Sequence, residues 1–391
     1  MALGRTVFSK SMITIPPEFS SDEPLLASSE ARKVATDILR NAHRLLLRTF
    51  MVCIAAVALY LAHKFLFQPA TKAQIEGGKD AASIYVVMSS DTNLHYLLSA
   101  PFAVQFWLNM NLTSIVMLCG TEEEYRKSNA TKEAVSQLQR LGAVLIFLKN
   151  QKLKSNNFAQ NIRNYAAATD FVQQNLDNST ILMTSDVDYF PLRLKDHVPK
   201  PAEGKEIAFF NPHCCADVIW KKERFPQYPM GTIAMTVKWW KEVMDIHPED
   251  IADGPYIEAK TNAVFDNELF DRPHDKSYMW FLDQAVFGLQ FGRMTQRNKD
   301  YAKLVTTHRA QKRLDRRSDW TPQIIASADL DQYDDAHIKP DIYDDGVWNS
   351  TREFYKKVLT EEQMKPLVEY RNRASKLVNA TFVELNHYHP G

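Results

Sequence analysis

Cysteine is scarce in this chain: four in 391 residues, at Cys53, Cys119 and the adjacent pair Cys214 and Cys215. No CxxC and no Cys/His spacing of a structural zinc site occurs among them, and they allow at most one disulfide. Net charge is missing as well. Lys+Arg and Asp+Glu both number 47, so no basic field exists to hold nucleic acid by counterion release. There is no glycine-rich P-loop, no HxxH, no internal repeat and no low-complexity tract. With about 45% hydrophobic and 24% charged residues, the chain has the material for one sizeable folded domain with attached segments.

One long apolar run stands out, Thr49 to Phe67. At 1.5 Å per residue its roughly 19 residues just span a ~30 Å hydrocarbon core; the competing reading is a buried core helix. The long polar segment before it, with Pro16 and Pro17, and the lack of a small-x-small site after it disfavour a cleaved signal peptide. Arg32, Lys33, Arg40, Arg44 and Arg48 precede the run, and Lys64, Lys72 and Lys79 follow more sparsely. The positive-inside rule therefore places the N-terminus in the cytoplasm. Five sequons, at Asn111, Asn129, Asn178, Asn349 and Asn379, all follow the run, which agrees with a lumenal C-terminal part. A short anchor suits the thinner early-secretory membranes. The expected organisation is a cytoplasmic tail over 1–48, a signal anchor over 49–67, a stem over 68–80 rich in breakers (Pro69, Gly77, Gly78), and a lumenal domain over 81–391, in the Golgi or endoplasmic reticulum. Asp22 to Leu26 also has the form of a sorting dileucine.

From Ala81 onward, short apolar runs alternate with helical stretches. The runs fall at 84–88, 114–119, 143–148, 180–184, 207–210 and 232–237. This is the pattern of an α/β domain with a mostly parallel central sheet flanked by helices. In such sheets ligands sit beyond the carboxyl ends of the strands. Residues 352–378 read as a charged amphipathic helical region without chemistry.

The sharpest local signal is T-I-L-M-T-S-D-V-D-Y-F-P-L at 180–192, where a buried-type strand runs into Asp186 and Asp188. Two carboxylates one residue apart at a strand end can share one hard cation, Mn²⁺ or Mg²⁺, with positions left open for diphosphate oxygens. Such an ion neutralises charge on a departing diphosphate. The bland alternative is an Asx turn closing a strand.

With the preceding N-I-R-N-Y-A-A-A-T-D-F-V (161–172), this segment resembles the nucleotide-sugar-binding half of GT-A-fold glycosyltransferases. Over about 35 residues it is similar to the LARGE-like dystroglycan glycosyltransferases, through R-N-x-A and D-V-D-x-x-P. The resemblance implies that Asp186 and Asp188 form the metal and diphosphate motif and that Arg163 and Asn164 lie near the donor. Beyond Tyr189 the chain departs from that pattern, so neither sugar nor acceptor carries over. By analogy with the fold, Ser89 and Ser90, with Asp91, sit where the nucleoside rests.

Three further features complete the candidate site. Gly231 opens a strand just ahead of Trp239 and Trp240, and a missing Cβ permits close approach of a sugar; core packing is the alternative for the tryptophans. Asp283, beside Gln284 inside an apolar helix, must be paired or employed. It is either the base that takes the acceptor proton or a capping or salt-bridged structural acid. His308 is the candidate third metal ligand, with Arg309 beside it for a phosphate; His387 and His389 compete. The expected activity is transfer of a sugar, UDP-linked, to a glycan or glycoprotein acceptor. The alternatives are a catalytically inactive glycan-binding or scaffolding membrane protein, and a metal-dependent phosphotransferase or hydrolase.

Overall fold

The computed structural model describes residues 40–42, 46–47, 49–51, 83–212, 215–271 and 280–386. It divides into two units, Met1–Gln68 and Pro69–Gly391. In the first, the described residues are helical and exposed. Among the described residues no helix is long and apolar enough to cross a membrane; residues 52–67 of the expected anchor, and the stem, lie outside them.

Among the described residues of the second unit there are twelve strands and twelve α-helices. The strands are β1 Ile84–Ser90, β2 Thr113–Cys119, β3 Val144–Leu148, β4 Ile181–Thr184, β5 Tyr189–Pro191, β6 Ile207–Phe210, β7 Asp217–Trp220, β8 Glu223–Pro226, β9 Ile233–Thr236, β10 Val305–His308, β11 Arg313–Asp315 and β12 Asp335–His337. The helices are α1 Leu94–Leu97, α2 Ala100–Asn109, α3 Glu122–Lys127, α4 Asn129–Arg140, α5 Ser155–Ile162, α6 Asp170–Asn175, α7 Val237–Met244, α8 Gly254–Val264, α9 Leu282–Arg297, α10 Pro322–Ser327, α11 Asp345–Val358 and α12 Glu361–Asn386.

Seven strands form the central sheet in the order β10-β6-β9-β4-β1-β2-β3. All pairings are parallel except those of β9, which is antiparallel to both β4 and β6. The mixed α/β architecture with a mostly parallel sheet is the expected one. Its inner strands β1, β2, β4, β6 and β9 are apolar runs because both faces are covered, whereas the edge strand β10 is Val-Thr-Thr-His and half-buried. Ile84, Val86 and Met88 enter a core with α2, α4, α11 and α12. The alternate residues Tyr85 and Val87 enter a second core with α5, α7, α8 and α9. That period-two split is what a strand buried on both sides dictates.

Two smaller sheets have no counterpart in the apolar pattern. A three-stranded sheet runs β11-β12-β5, and β7 pairs with β8 in a hairpin. The hairpin lies against α9, where a Cβ on Gly288 would stand 2.6 Å from the Pro226 carbonyl oxygen and one on Gly292 2.2 Å from the Phe225 ring. Only bare backbone allows that approach. Cys119 carries no disulfide; Cys53 and Cys214 lie outside the described residues.

Candidate functional site

Successive connections carry the chain from β1 to β2 and β3 on one side, while β4 pairs on the other flank of β1. The crevice beyond the carboxyl ends of β1 and β4 is therefore the topological switch point, where ligands bind in open α/β sheets. A hollow of about 320 Å³ opens there, within the range of small-molecule sites. Ser89, Ser90 and Asp91 from the end of β1 and Asp186, Val187 and Asp188 beyond β4 line it, together with Arg163, Asp283 and Gln284.

The local turn explains the aspartate placement. Ser185 N–H still bonds to Val87 O at 2.9 Å, extending the β1–β4 ladder, and Tyr189 N–H returns to Asp186 O at 3.3 Å. The chain reverses between them and enters β5. Asp186 keeps about a third of its side chain exposed, whereas Asp188 is buried.

The two carboxylates have different partners. Arg163, buried in the 3-10 segment after α5, donates through Nη1 to Asp186 and to Ser185 O at 3.1 Å, and through Nη2 to Asp283 Oδ2 at 2.5 Å. One guanidinium thus joins an acid beyond β4 to an acid on α9. Asp188 Oδ2 meets Arg316 Nη1 at 2.5 Å and His337 Nε2 at 3.4 Å. Burial alone would raise the Asp188 carboxyl; the hydrogen bond and charge of His337, then Arg316, outweigh it and hold the group below its ordinary range. Asp283 moves the other way. Burial raises it, against the opposing pull of Arg163, and its Oδ1 accepts from Gln284 N–H at 2.8 Å. The carboxylate on α9 is thus both salt-bridged and at the wall of the hollow.

Not every expected residue reaches the hollow. Asn164 is fully buried and braces α9 by donating to Asp283 O at 3.0 Å. Gly231 is buried against Tyr189, whose ring would lie 3.5 Å from an added Cβ, an ordinary van der Waals contact that does not demand glycine, and it is not among the residues that line the hollow. Trp240 is core, its Nε1 bonded to Leu182 O at 2.9 Å, and Trp239 stacks edge-on against Tyr301. His308 also stands outside the hollow. It ends β10 and groups instead with Asp196 and Asp334, so its place as third ligand beside Asp186 and Asp188 is corrected. His387 and His389 lie outside the described residues.

The histidine that does approach the aspartates is His337. It ends β12, which pairs antiparallel with β5 so that His337 faces Tyr189, and Ile338 N–H bonds to Asp188 O at 2.9 Å. Arg316 follows β11 of the same sheet. Sequence reasoning missed both because Arg-Leu-Asp and Asp-Ala-His are too short and polar to read as strands. The available signal was Asp334 and Asp335 beside a histidine, closely spaced acids of the kind sought elsewhere.

The charge balance at the hollow favours a cation. Asp91, Asp186, Asp188 and Asp283 stand against Arg163 and Arg316, an excess of two negative charges when His337 is neutral. Asp186, Asp188 and His337 are the oxygen and imidazole types that Mn²⁺ takes, but their ligand atoms do not all lie within 4.8 Å of one another, so to hold one ion together they would have to leave their present partners. The carboxylates rest on separate guanidiniums and do not form a closed cage; an ion would take over charge now supplied by arginine. Three polar atoms on lining residues, Gln160 Oε1, Arg163 Nε and Gln284 Oε1, are buried without a hydrogen-bond partner. Orphaned groups of this kind at a concave wall mark places for ligand atoms.

No protein-family model and no curated protein matches the sequence. Among solved structures, the galactosyltransferase LgtC in complex with donor and acceptor sugar analogues superposes with a TM-score of 0.35 and 14% identity, covering 71% of this chain and 98% of LgtC. The glycosyltransferase GlyE of Streptococcus pneumoniae TIGR4 does so with a TM-score of 0.32 and 14% identity over 74% of this chain and 64% of GlyE. This chain thus spans less than two thirds of GlyE. Both neighbours are glycosyltransferases, but the superpositions are loose, and the chemistry rests on this chain's own side chains.

Proposed function

We propose that the chain is a metal-dependent glycosyltransferase that moves a sugar from a nucleotide sugar, UDP-linked, to a glycan or glycoprotein acceptor. One observation carries this reading: Asp186 and Asp188 line a small-molecule-sized hollow at the β1/β4 switch point, among unpaired polar groups. A bound Mn²⁺ or Mg²⁺ would supply charge neutralisation at the diphosphate. Ser89, Ser90 and Asp91 form the nucleoside end, and Arg163 and Arg316 face the phosphates. Gln284, on the wall of the hollow, directs the sugar. Asp283, raised by burial, takes the acceptor proton if configuration inverts.

The membrane arrangement belongs to the same proposal: a single-pass type II protein of the Golgi or endoplasmic reticulum with the domain in the lumen. In its support, the described sequon asparagines Asn111, Asn129, Asn178 and Asn349 are all exposed. Full-length chain in detergent, incubated with a panel of nucleotide sugars and Mn²⁺, is expected to release nucleoside diphosphate. Release should vanish in Asp188→Asn. Release that persists in that variant, or none from any donor, overturns the assignment.

A further inference from the structure

We propose that the chain holds a second divalent cation, Zn²⁺ or Mn²⁺, bound by Asp196, His308 and Asp334. The ligand atoms of these three residues all lie within 4.8 Å of one another, and they are the one such group of three among the described residues. None of them lines the hollow that contains Asp186 and Asp188.

Three separate segments converge here. Asp196 ends the 3-10 turn after β5, His308 ends β10 at the edge of the central sheet, and Asp334 immediately precedes β12. Two of the ligands are already fixed. Asp334 Oδ2 accepts from the backbone N–H groups of Gln311 and Lys312 at 2.5 and 2.9 Å, and its Oδ1 meets Arg193 at 2.9 Å. His308 is stacked on Phe210, with rings 12° apart in plane. Outer contacts that aim a carboxylate and an imidazole are what metal sites use to orient their ligands.

The second observation is the imidazole itself. His308 Nδ1 stands 3.8 Å from Asp196 Oδ1, too far for a hydrogen bond. Nδ1 is therefore the nitrogen that faces the ion; the buried Nε2 points the other way and takes no part in it. Two ligands each about 2.0–2.2 Å from a common ion lie at most roughly 4.3 Å apart, so the 3.8 Å separation accommodates an ion where it rules out a direct bond. Two carboxylates leave one negative charge after Arg193 is counted. The mixed nitrogen and oxygen set favours Zn²⁺ or Mn²⁺ over Ca²⁺. The ion clips the edge strand β10 to the segments flanking β5 and β12, the sheet that delivers His337 to the hollow. Its role is structural, and it stands whether or not sugar transfer is found.

The test uses the full-length chain carrying Asp186→Asn and Asp188→Asn, so that the first proposed site is silent. After chelator stripping it is dialysed against Zn²⁺ alone and Mn²⁺ alone; bound metal is counted by mass spectrometry and Tm is recorded. One retained ion per chain, with a metal-dependent rise in Tm, is expected. Adding His308→Gln, or separately Asp196→Asn, should abolish both. No ion retained in the parent double variant, or stoichiometry unchanged by both added substitutions, overturns the proposal; two independent variants guard against one that fails to fold.

Discussion

The central sheet and the three-stranded sheet stand side by side along the chain but are held by different forces. Strands β1, β2 and β4 are nearly fully buried and apolar, so burial on two faces fixes them. Strands β11 and β12 are held by polar bonds: Asp335, fully buried, accepts from Arg313 at 2.6 and 2.8 Å and from the Tyr189 hydroxyl at 2.6 Å. The central sheet places the acids beyond β4. The smaller sheet brings the groups that counter one of them, Arg316 and His337. A charged site needs both, because acids at a hydrophobic strand end remain ionised only where something nearby offsets the cost of burial.

The largest expected effect breaks the smaller sheet. Asp335→Ala strands the Arg313 guanidinium and the Tyr189 hydroxyl, and should cost about 3–5 kcal/mol in denaturant-induced unfolding. Leu182→Ala in β4 should cost a comparable 2–5 kcal/mol through cavity formation. A loss under about 1 kcal/mol for Asp335→Ala would mean that packing, not the ion network, holds β12. Next comes His337→Gln, where a shortened Mn²⁺ saturation curve separates ligand from scaffold. Measured in a His308→Gln background so that only the first site is read, affinity for Mn²⁺ should fall by at least the ~10–100-fold that loss of an outer-sphere partner costs, while Tm stays near that of the His308→Gln chain; unchanged affinity would remove His337 from the ligand set.

Legibility followed the same division. The six apolar runs became β1, β2, β3, β4, β6 and β9, because doubly buried strands must be apolar and their composition announces them. Asp186, Asp188, Ser89 and Ser90 stand out in the sequence because they follow those runs, Asp283 because it is an acid inside an apolar helix, and Arg163 only through the R-N-x-A resemblance; all six line the hollow. Asn164, Gly231 and His308 failed for an equally physical reason. Asn164 is a helix brace and His308 faces Asp196, while Gly231 sits beside the Tyr189 ring at a distance that a side chain would also allow. Sequence shows which residue types are unusual at a place, but the partner that explains them is chosen by the fold. His337 was hidden twice over, on a three-residue strand whose ladder depends on β5.

The hairpin offers a smaller test of close packing around the helix that bears Asp283. Gly292→Ala puts a methyl group 2.2 Å from a Phe225 ring atom. Because the clash reaches Cγ, the anchored end of a buried ring, turning the ring does not relieve it, and the cost should sit near the upper end of the ~1–3 kcal/mol typical of overpacking. A neutral result would show the hairpin to be loosely seated on α9.

The least disruptive probe reads the central sheet through chemistry alone. Cys119 closes β2, is 3% exposed, and its thiol is pushed up from 9.0 to about 12, first by burial and then by Asp91. Because the fold favours the neutral thiol, the sign is fixed: its contribution is intact below the unfolded value and declines as pH rises through 9 toward 12. A three-unit rise cuts the thiolate fraction roughly a thousandfold at pH 8.5, and the thiolate is the nucleophile. Native chain treated with iodoacetamide at that pH should therefore leave Cys119 unlabelled by peptide mass spectrometry, whereas urea-unfolded chain labels it within minutes. Equal labelling in both would mean that the end of β2 opens freely, and that the sheet beside the hollow is far less sealed than its apolar sequence requires.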